Sequence, residues 1–152
     1  MKRSLKLTIS IAIPLIVSII GGLFTSSSVS TWYLELAKPS FNPPSWIFGP
    51  VWIVLYLLMG ISLYLIWTKK YNKAAFLAFG IQLGLNLLWS ILFFGMKSPL
   101  YAFIEIILLW ISIFITIIYF HRINKVSAYL LLPYILWVSF AAILNLAILI
   151  LN

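Results

Sequence analysis

Five stretches of this chain, 7–24, 44–67, 74–96, 98–120 and 128–151, carry almost no charge. Each is close to the ~20 residues that cross a bilayer as a helix. In hydrocarbon the backbone must satisfy its own hydrogen bonds, so uncharged runs of this length have one stable form, the α-helix. Residues 68–73, Lys97 and 121–127 connect the last four runs, and such short links make consecutive helices antiparallel neighbours. The expected fold is all-α: residues 1–152 as a single integral membrane bundle of five transmembrane helices. A composition of 64% hydrophobic and 8% charged residues is far from that of a soluble domain.

Charge orients the bundle. Lys2, Arg3 and Lys6, then Lys69, Lys70 and Lys73, then Arg122 and Lys125 make eight of the ten basic residues, all at one end. Lys38 and Lys97 alone lie at the other. The positive-inside rule then puts the N-terminus in the cytoplasm, with the first loop and the C-terminus outside, in what is expected to be a bacterial cell membrane. The net charge of +8 is thereby explained by topology, with no need of nucleic acid. A rival reading of the first run is a cleavable signal peptide ending near Ser28 and Ser30. Its apolar stretch exceeds the ~7–15 residues of a signal core, so a retained helix is expected. Without cysteine the chain has no disulfide and no thiolate ligand for a metal or cluster.

The first loop is the most unusual stretch. Glu35, Lys38, Pro39, Pro43 and Pro44 cannot lie in hydrocarbon, so this segment belongs at the interface as an aromatic, proline-rich lid. Ser30 or Thr31 is expected to cap a short turn over Trp32 to Leu36, which Lys38-Pro39 ends. Pro43-Pro44 is expected to open helix 2 as an N1-type start, and Pro50, six residues further, to kink or loosen its first turn.

The helix faces select candidate residues. Helix 1 carries Pro14, Ser18, Gly21, Gly22 and Thr25 as a small-residue stripe, suited either to close helix packing or to leaving room for a ligand under the lid. On helix 2, Trp52, Tyr56, Gly60 and Tyr64 recur every four residues, an aromatic face with a gap at Gly60. Trp46 and Trp67 suit an interfacial belt, whereas Trp52 lies roughly 12 Å inside it. Helix 3 sets Gln82, Asn86 and Ser90 in one row beside Trp89 and Phe93. Such a polar row faces protein, water or ligand, leaving interhelical hydrogen bonding and ligand contact both open. Helix 4 holds the one membrane-embedded acid, Glu105, for which a hydrogen-bonded packing role is expected, with dimerisation or an ion path as alternatives. Helix 5 aligns Pro133, Trp137, Ala141 and Asn145 and repeats the helix 2 pattern of a deep tryptophan and a small residue. Trp137 is placed about 14 Å from the inner end, deeper than Trp52. A flat aromatic ligand between the two would meet π-faces, with Asn86 and Ser90 as polar anchors.

Acid–base or nucleophilic catalysis needs titratable groups within hydrogen-bond reach of one another. Here the one histidine and the one buried acid fall on opposite sides of the membrane. No metal-ligand cluster or phosphate loop is present, so a conventional hydrolase or transferase is not expected. Indole is what the chain has in excess, and indole both stacks and gives up electrons.

The run WYxxLxKPxxxPPxWxFxPVWxxLYxxMG from Trp32 to Gly60 resembles the signature of the tryptophan-rich sensory protein (TspO) family, whose animal members are the translocator proteins. QxxxNxxWS at Gln82 to Ser90 and PYxxWxxFAxxLNxxIxxLN at Pro133 to Asn152 accompany it, so the resemblance, to a bacterial member, covers nearly the whole chain. It implies a five-helix bundle, usually a homodimer, that binds tetrapyrroles such as protoporphyrin IX and isoquinoline carboxamides. For some bacterial members it also implies a role in stress sensing and in light- and oxygen-dependent degradation of protoporphyrin, with no cofactor required. By similarity Trp52 and Trp137 face the porphyrin and support photo-oxidation, while Tyr33, Asn86, Ser90 and Ala141 line the pocket. Trp32, Tyr56, Trp89, Phe93 and Asn145 complete the expected ligand-binding set. The alternative is a sensor or carrier that leaves its ligand unaltered. A proposed sterol motif of animal members, Tyr followed by a basic residue near the end of helix 5, has no counterpart in residues 142–152, so sterol binding through it is not expected.

Overall fold

A computed structural model describes residues 2–152 as helices joined by tight turns. They are α1 (Arg3–Val29), α2 (Trp32–Glu35), α3 (Phe48–Lys69), α4 (Lys73–Ser90), α5 (Pro99–Ile123), α6 (Lys125–Leu130) and α7 (Leu132–Leu151). A 3₁₀ turn over Ser45–Ile47 leads into α3, and a π turn over Ile91–Gly95 ends α4. Five spans are long and apolar enough to cross a membrane: Arg3–Val29, Ser45–Lys69, Lys73–Gly95, Pro99–Ile123 and Lys125–Leu151. The five-helix bundle expected from the sequence is the bundle found, and its apolar exterior makes this an integral membrane protein.

Side-chain caps fix the turns at the basic end. Asn72 accepts from the Ala75 amide at 3.0 Å to start α4, and Asn124 accepts from Val126 at 3.0 Å to start α6. At the lid end Ser98 caps α5 with Pro99 at its first position, and Lys97, at φ 53°, takes the left-handed conformation that reverses the chain. The first helix runs past both of its expected ends, and at its start Lys6 donates to the Trp67 carbonyl and sits over that indole ring.

Prolines shape the remaining irregularities. Pro44 caps the 3₁₀ turn where an N1 position was expected, and Pro50 falls third in α3, where its missing N–H is one of the unpaired ones at a helix start. The loosened first turn is therefore present, as 3₁₀ geometry, one turn earlier than Pro50. Thr31 does not cap α2: its hydroxyl turns back to the carbonyls of Ser27 and Ser28. Pro133 removes a bond to Tyr129, and the last span breaks at Leu131 into α6 and α7. In the π turn Met96 bonds Ile91 and Ser98 bonds Leu92, while Pro99 has no N–H to offer the Phe94 carbonyl. Ser28 on α1 supplies the missing donor at 2.7 Å. The wider turn brings consecutive residues Phe93 and Phe94 both into the interior.

The packed core fills the basic half of the bundle. Met59, Leu63 and Ile66 of α3 meet Ala75, Ile113, Ala128 and Leu131, and Phe79 stacks on Phe120 with centroids 5.9 Å apart. At the centre α1 and α3 cross at contact: a Cβ on Gly60 would stand 2.8 Å from Ile11 Cα and 3.0 Å from the Ser10 carbonyl. The expected gap in the helix 2 aromatic face is thus filled by α1 backbone. A smaller aromatic cluster, Tyr33, Phe93, Phe94, Leu144 and Ile148, lies under the lid. Between the two clusters the helices separate.

Candidate functional site

The separation is a cavity of about 390 Å³ between the lid-side halves of α1, α3, α4 and α7. Small-molecule sites are typically ~300–1,000 Å³. Nine of the eleven residues expected at the site line it: Trp52 and Tyr56 on α3; Trp89, Ser90 and Phe93 on α4 and its π turn; Trp137, Ala141 and Asn145 on α7; and Tyr33 as roof. Trp32 does not reach it but packs edge-on against Phe93, 5.6 Å between centroids, on the far side of that ring. Asn86 stands one layer behind.

Asn86 is held there by two phenols. Tyr56 donates to its Oδ1 and its Nδ2 donates to the Tyr134 hydroxyl at 2.9 Å. Those same two rings flank the Trp52 indole, with centroids at 5.7 Å to Tyr56 and 6.3 Å to Tyr134. The amide thus fixes the wall behind Trp52 and does not itself face the cavity. The expected polar row splits three ways: Ser90 faces the cavity, Asn86 ties helices together, and Gln82 is 1% exposed with neither end of its amide bonded among the described residues.

Trp137 lies between Phe48 at 6.1 Å and Phe140 at 5.4 Å. Phe48 is one turn nearer the lid than Trp52, and Tyr134, the partner of Trp52, is one turn nearer the basic end than Trp137. The two indoles are therefore staggered the opposite way from expectation, with Trp137 closer to the lid. The span begins at Lys125, three residues before the expected start, which lifts every later residue by roughly 4.5 Å.

Several of the other polar groups are bonded within the protein. Trp89 donates its indole N–H to Asn145 at 3.2 Å, and Asn145 in turn donates to the Pro99 carbonyl at 2.9 Å. Tyr33 donates to Asn42 at 2.7 Å, and the Lys38 ammonium stands 4.9 Å above its ring. Burial pushes the Tyr33 phenol up to about 12, so it remains a neutral donor at ordinary pH. Among the described residues no charged side chain lines the cavity. Glu105, 4% exposed, lies outside it with neither oxygen bonded among the described residues, so the hydrogen-bonded packing role expected for it has no protein partner here.

Several lining residues were not singled out from the sequence. Phe48 is a fixed position of the Trp32–Gly60 run and Gly49 one of its variable ones, whereas Phe94 lies outside all three runs; Tyr134, in the Pro133 run, does not line the cavity but backs Trp52 from behind. The two readings of the helix 1 stripe divide between neighbours: a Cβ on Gly21 would press on Ser90 Oγ at 3.3 Å, which is close helix packing, whereas one on Gly22 would meet nothing within 4 Å, which leaves room.

The sequence model of the TspO/MBR family matches residues 10–151. The chain belongs to the TspO/MBR family. Among its relatives is a tryptophan-rich protein TspO of Archaeoglobus fulgidus, 47% identical over 150 residues that cover 97% of each chain. The translocator protein of Homo sapiens is 34% identical over 131 residues, 83% of this chain and 78% of the human one. A tryptophan-rich sensory protein of Cereibacter sphaeroides is 32% identical over 114 residues, 75% and 72% of the two chains. The match to the TspO/MBR family takes in all four walls of the cavity and its roof.

Proposed function

We propose that this TspO/MBR protein is a receptor-like membrane protein that binds tetrapyrroles, protoporphyrin IX in particular, and promotes their breakdown in light and oxygen. The observation that carries the reading is that Trp52 and Trp137, staggered on two helices, line one apolar cavity. Its walls offer π-faces from three helices, the surface a flat conjugated ring system buries best. In light, an indole in contact with the ring can give one electron to the excited tetrapyrrole, which passes it to dioxygen as superoxide; the indole radical cation then takes an electron back from the ring, so the net change is one-electron oxidation of the tetrapyrrole by dioxygen. Without charged groups in its walls, the cavity suits the macrocycle and leaves ligand carboxylates to its lid-side edge, where Lys38 stands over the Tyr33 roof. Isoquinoline carboxamides, flat and uncharged, suit the same walls.

The names of the relatives, sensory protein and translocator protein, accord with a ligand-responsive role. The basic end is proposed to face the cytoplasm of a bacterial cell, with the lid and C-terminus outside, and the protein to act as a homodimer. The same commitment of polar groups that leaves no acid or base in the cavity favours, as second reading, a sensor or carrier of unaltered tetrapyrrole.

A time course of protoporphyrin IX with the purified protein, in light and dark, separates them. Absorbance and mass spectrometry should show a new tetrapyrrole product formed in light only, and lost in the Trp52→Phe/Trp137→Phe double variant while binding persists. Porphyrin that binds and is recovered intact after illumination would make the protein a sensor or carrier, with the indoles as walls.

A further inference from the structure

The cavity is closed toward the lid and open to one side. Tyr33 roofs it at 2% exposure, and the lid segment behind Tyr33 is tied down twice. The Tyr33 hydroxyl holds Asn42, and Asn152 at the end of α7 accepts from the Ala37 amide at 3.0 Å and donates to its carbonyl at 2.9 Å. The cavity-lining residues that are exposed are five, Gly22 and Ser26 on α1 and Ser45, Gly49 and Ile53 at the start of α3 and the turn before it. They form two rows at four-residue spacing on two neighbouring helices, all on the lid side of the Gly60–Ile11 crossing that pins those helices together. The opening is therefore a slot with a closed inner end.

Its depth decides what it faces. Gly22 is seven residues from the end of α1, roughly 10 Å, and Ile53 is eight residues from Ser45, roughly 12 Å. Beside the slot, Ile19 and Leu23 are 67% and 65% exposed, side chains whose only suitable surroundings are acyl chains. The slot thus runs from the interface at Ser26 and Ser45 down into hydrocarbon at Gly22 and Ile53, and its deep part faces acyl chains. Its rim is low: a Cβ on Gly22 or Gly49 would meet nothing within 4 Å.

We propose that ligands reach the cavity sideways from the bilayer, through the slot between α1 and α3, while the lid stays shut. The substrate class this admits is flat, apolar and membrane-dissolved, which includes the tetrapyrroles of the function proposed above. The slot itself does not depend on that choice. A molecule arriving this way keeps its apolar face out of water throughout.

Two measurements in lipid nanodiscs test it. In the first, stopped-flow quenching of tryptophan by protoporphyrin IX is compared for the wild type, Gly22→Phe, Gly49→Phe and Asn152→Ala. Filling the slot should slow association and dissociation together by about tenfold, while Kd stays within about threefold, the mark of a barrier and not of a contact. Loosening the lid with Asn152→Ala should leave both rates within about twofold. Unchanged rates in both slot variants, or faster rates on loosening the lid, would overturn the proposal. The second needs no porphyrin. The chain has no cysteine, so a nitroxide can be placed at Gly22→Cys alone. Its collisions with dioxygen should exceed those with a water-soluble nickel chelate. The reverse preference would make the slot aqueous and sink the lateral route, whereas failure of protoporphyrin IX to bind would count against the proposed function alone.

Discussion

Asn152 holds Ala37 by both ends of its side-chain amide, so the last residue of the chain and the middle of the lid are joined across 115 positions of sequence. The same Nδ2 also donates to the Ile148 carbonyl at 2.8 Å, which keeps the side chain against its own helix. In Asn152→Ala the lid loses its two bonds to α7, while Tyr33, buried beneath, stays. Hydrogen exchange at the Ala37 amide should rise by about tenfold or more, with global stability lowered by about 1 kcal/mol. Exchange mass spectrometry in detergent reads both.

The Tyr56–Asn86–Tyr134 triad should behave as one unit. Asn86→Leu strands two buried phenols and should cost about 1–3 kcal/mol in a denaturant titration in mixed micelles, given ~0.6 kcal/mol for an average interhelical bond and ~1.7 for the largest. Because those phenol rings flank Trp52, its fluorescence should also shift, which a loss of stability in the native baseline would not produce.

Gly60 and Gly22 should respond oppositely to alanine. At Gly60 the new methyl meets the backbone of α1, which cannot turn aside, so Gly60→Ala should destabilise by about 1–3 kcal/mol. At Gly22 the methyl enters open space, and the better helix propensity of alanine makes the change neutral or slightly stabilising, within about 1 kcal/mol. The same micellar titration distinguishes them.

Lys38 should sort ligands by charge. Its ammonium, bonded to the Leu34 and Leu36 carbonyls over the Tyr33 ring, is the cation beside the cavity roof. Lys38→Glu should weaken the dianionic protoporphyrin IX by about five- to tenfold at low salt and less at high salt, leaving a neutral isoquinoline carboxamide unchanged. Equal losses for both ligands would mean that the lid had been displaced.

The hold of Tyr33 on Asn42 should be insensitive to pH across the neutral range. Burial raises the folded phenol from the ordinary 10.0 to about 12, so the fold favours the neutral form. That stabilisation is fully present below pH 10 and is lost as pH climbs toward about 12. An ultraviolet difference titration should show one late phenolate that is missing from Tyr33→Phe.

The spans were legible because lipid leaves the backbone so few choices; what sequence spacing could not convey was which neighbour each face meets. Asn86 was correctly set on an inward face, yet the hydroxyl that draws it out of the cavity belongs to Tyr134, 48 positions away. The same limit hid the π turn, since Ser28 satisfies the Phe94 carbonyl from 66 positions off. Depth counted from helix ends also misplaced Trp137 relative to Trp52, and the early start of the last span at Lys125 accounts for roughly 4.5 Å of that shift. Proline effects were legible in kind, as at Pro50, but not in position.

The dense aliphatic packing lies in the basic half, around Met59, Ile66 and Ile113, and the cavity interrupts the other half. Resistance to local unfolding is therefore graded along the membrane normal, with a base held by dense packing and a rim held by aromatic contacts and a few interhelical hydrogen bonds. A molecule bound in the cavity would stabilise the protein against every opening that breaks the site, the local openings of that rim first among them. Ligand occupancy is then readable from outside as the stiffness of one leaflet's worth of protein, a mechanical signal that needs no change in the rest of the bundle.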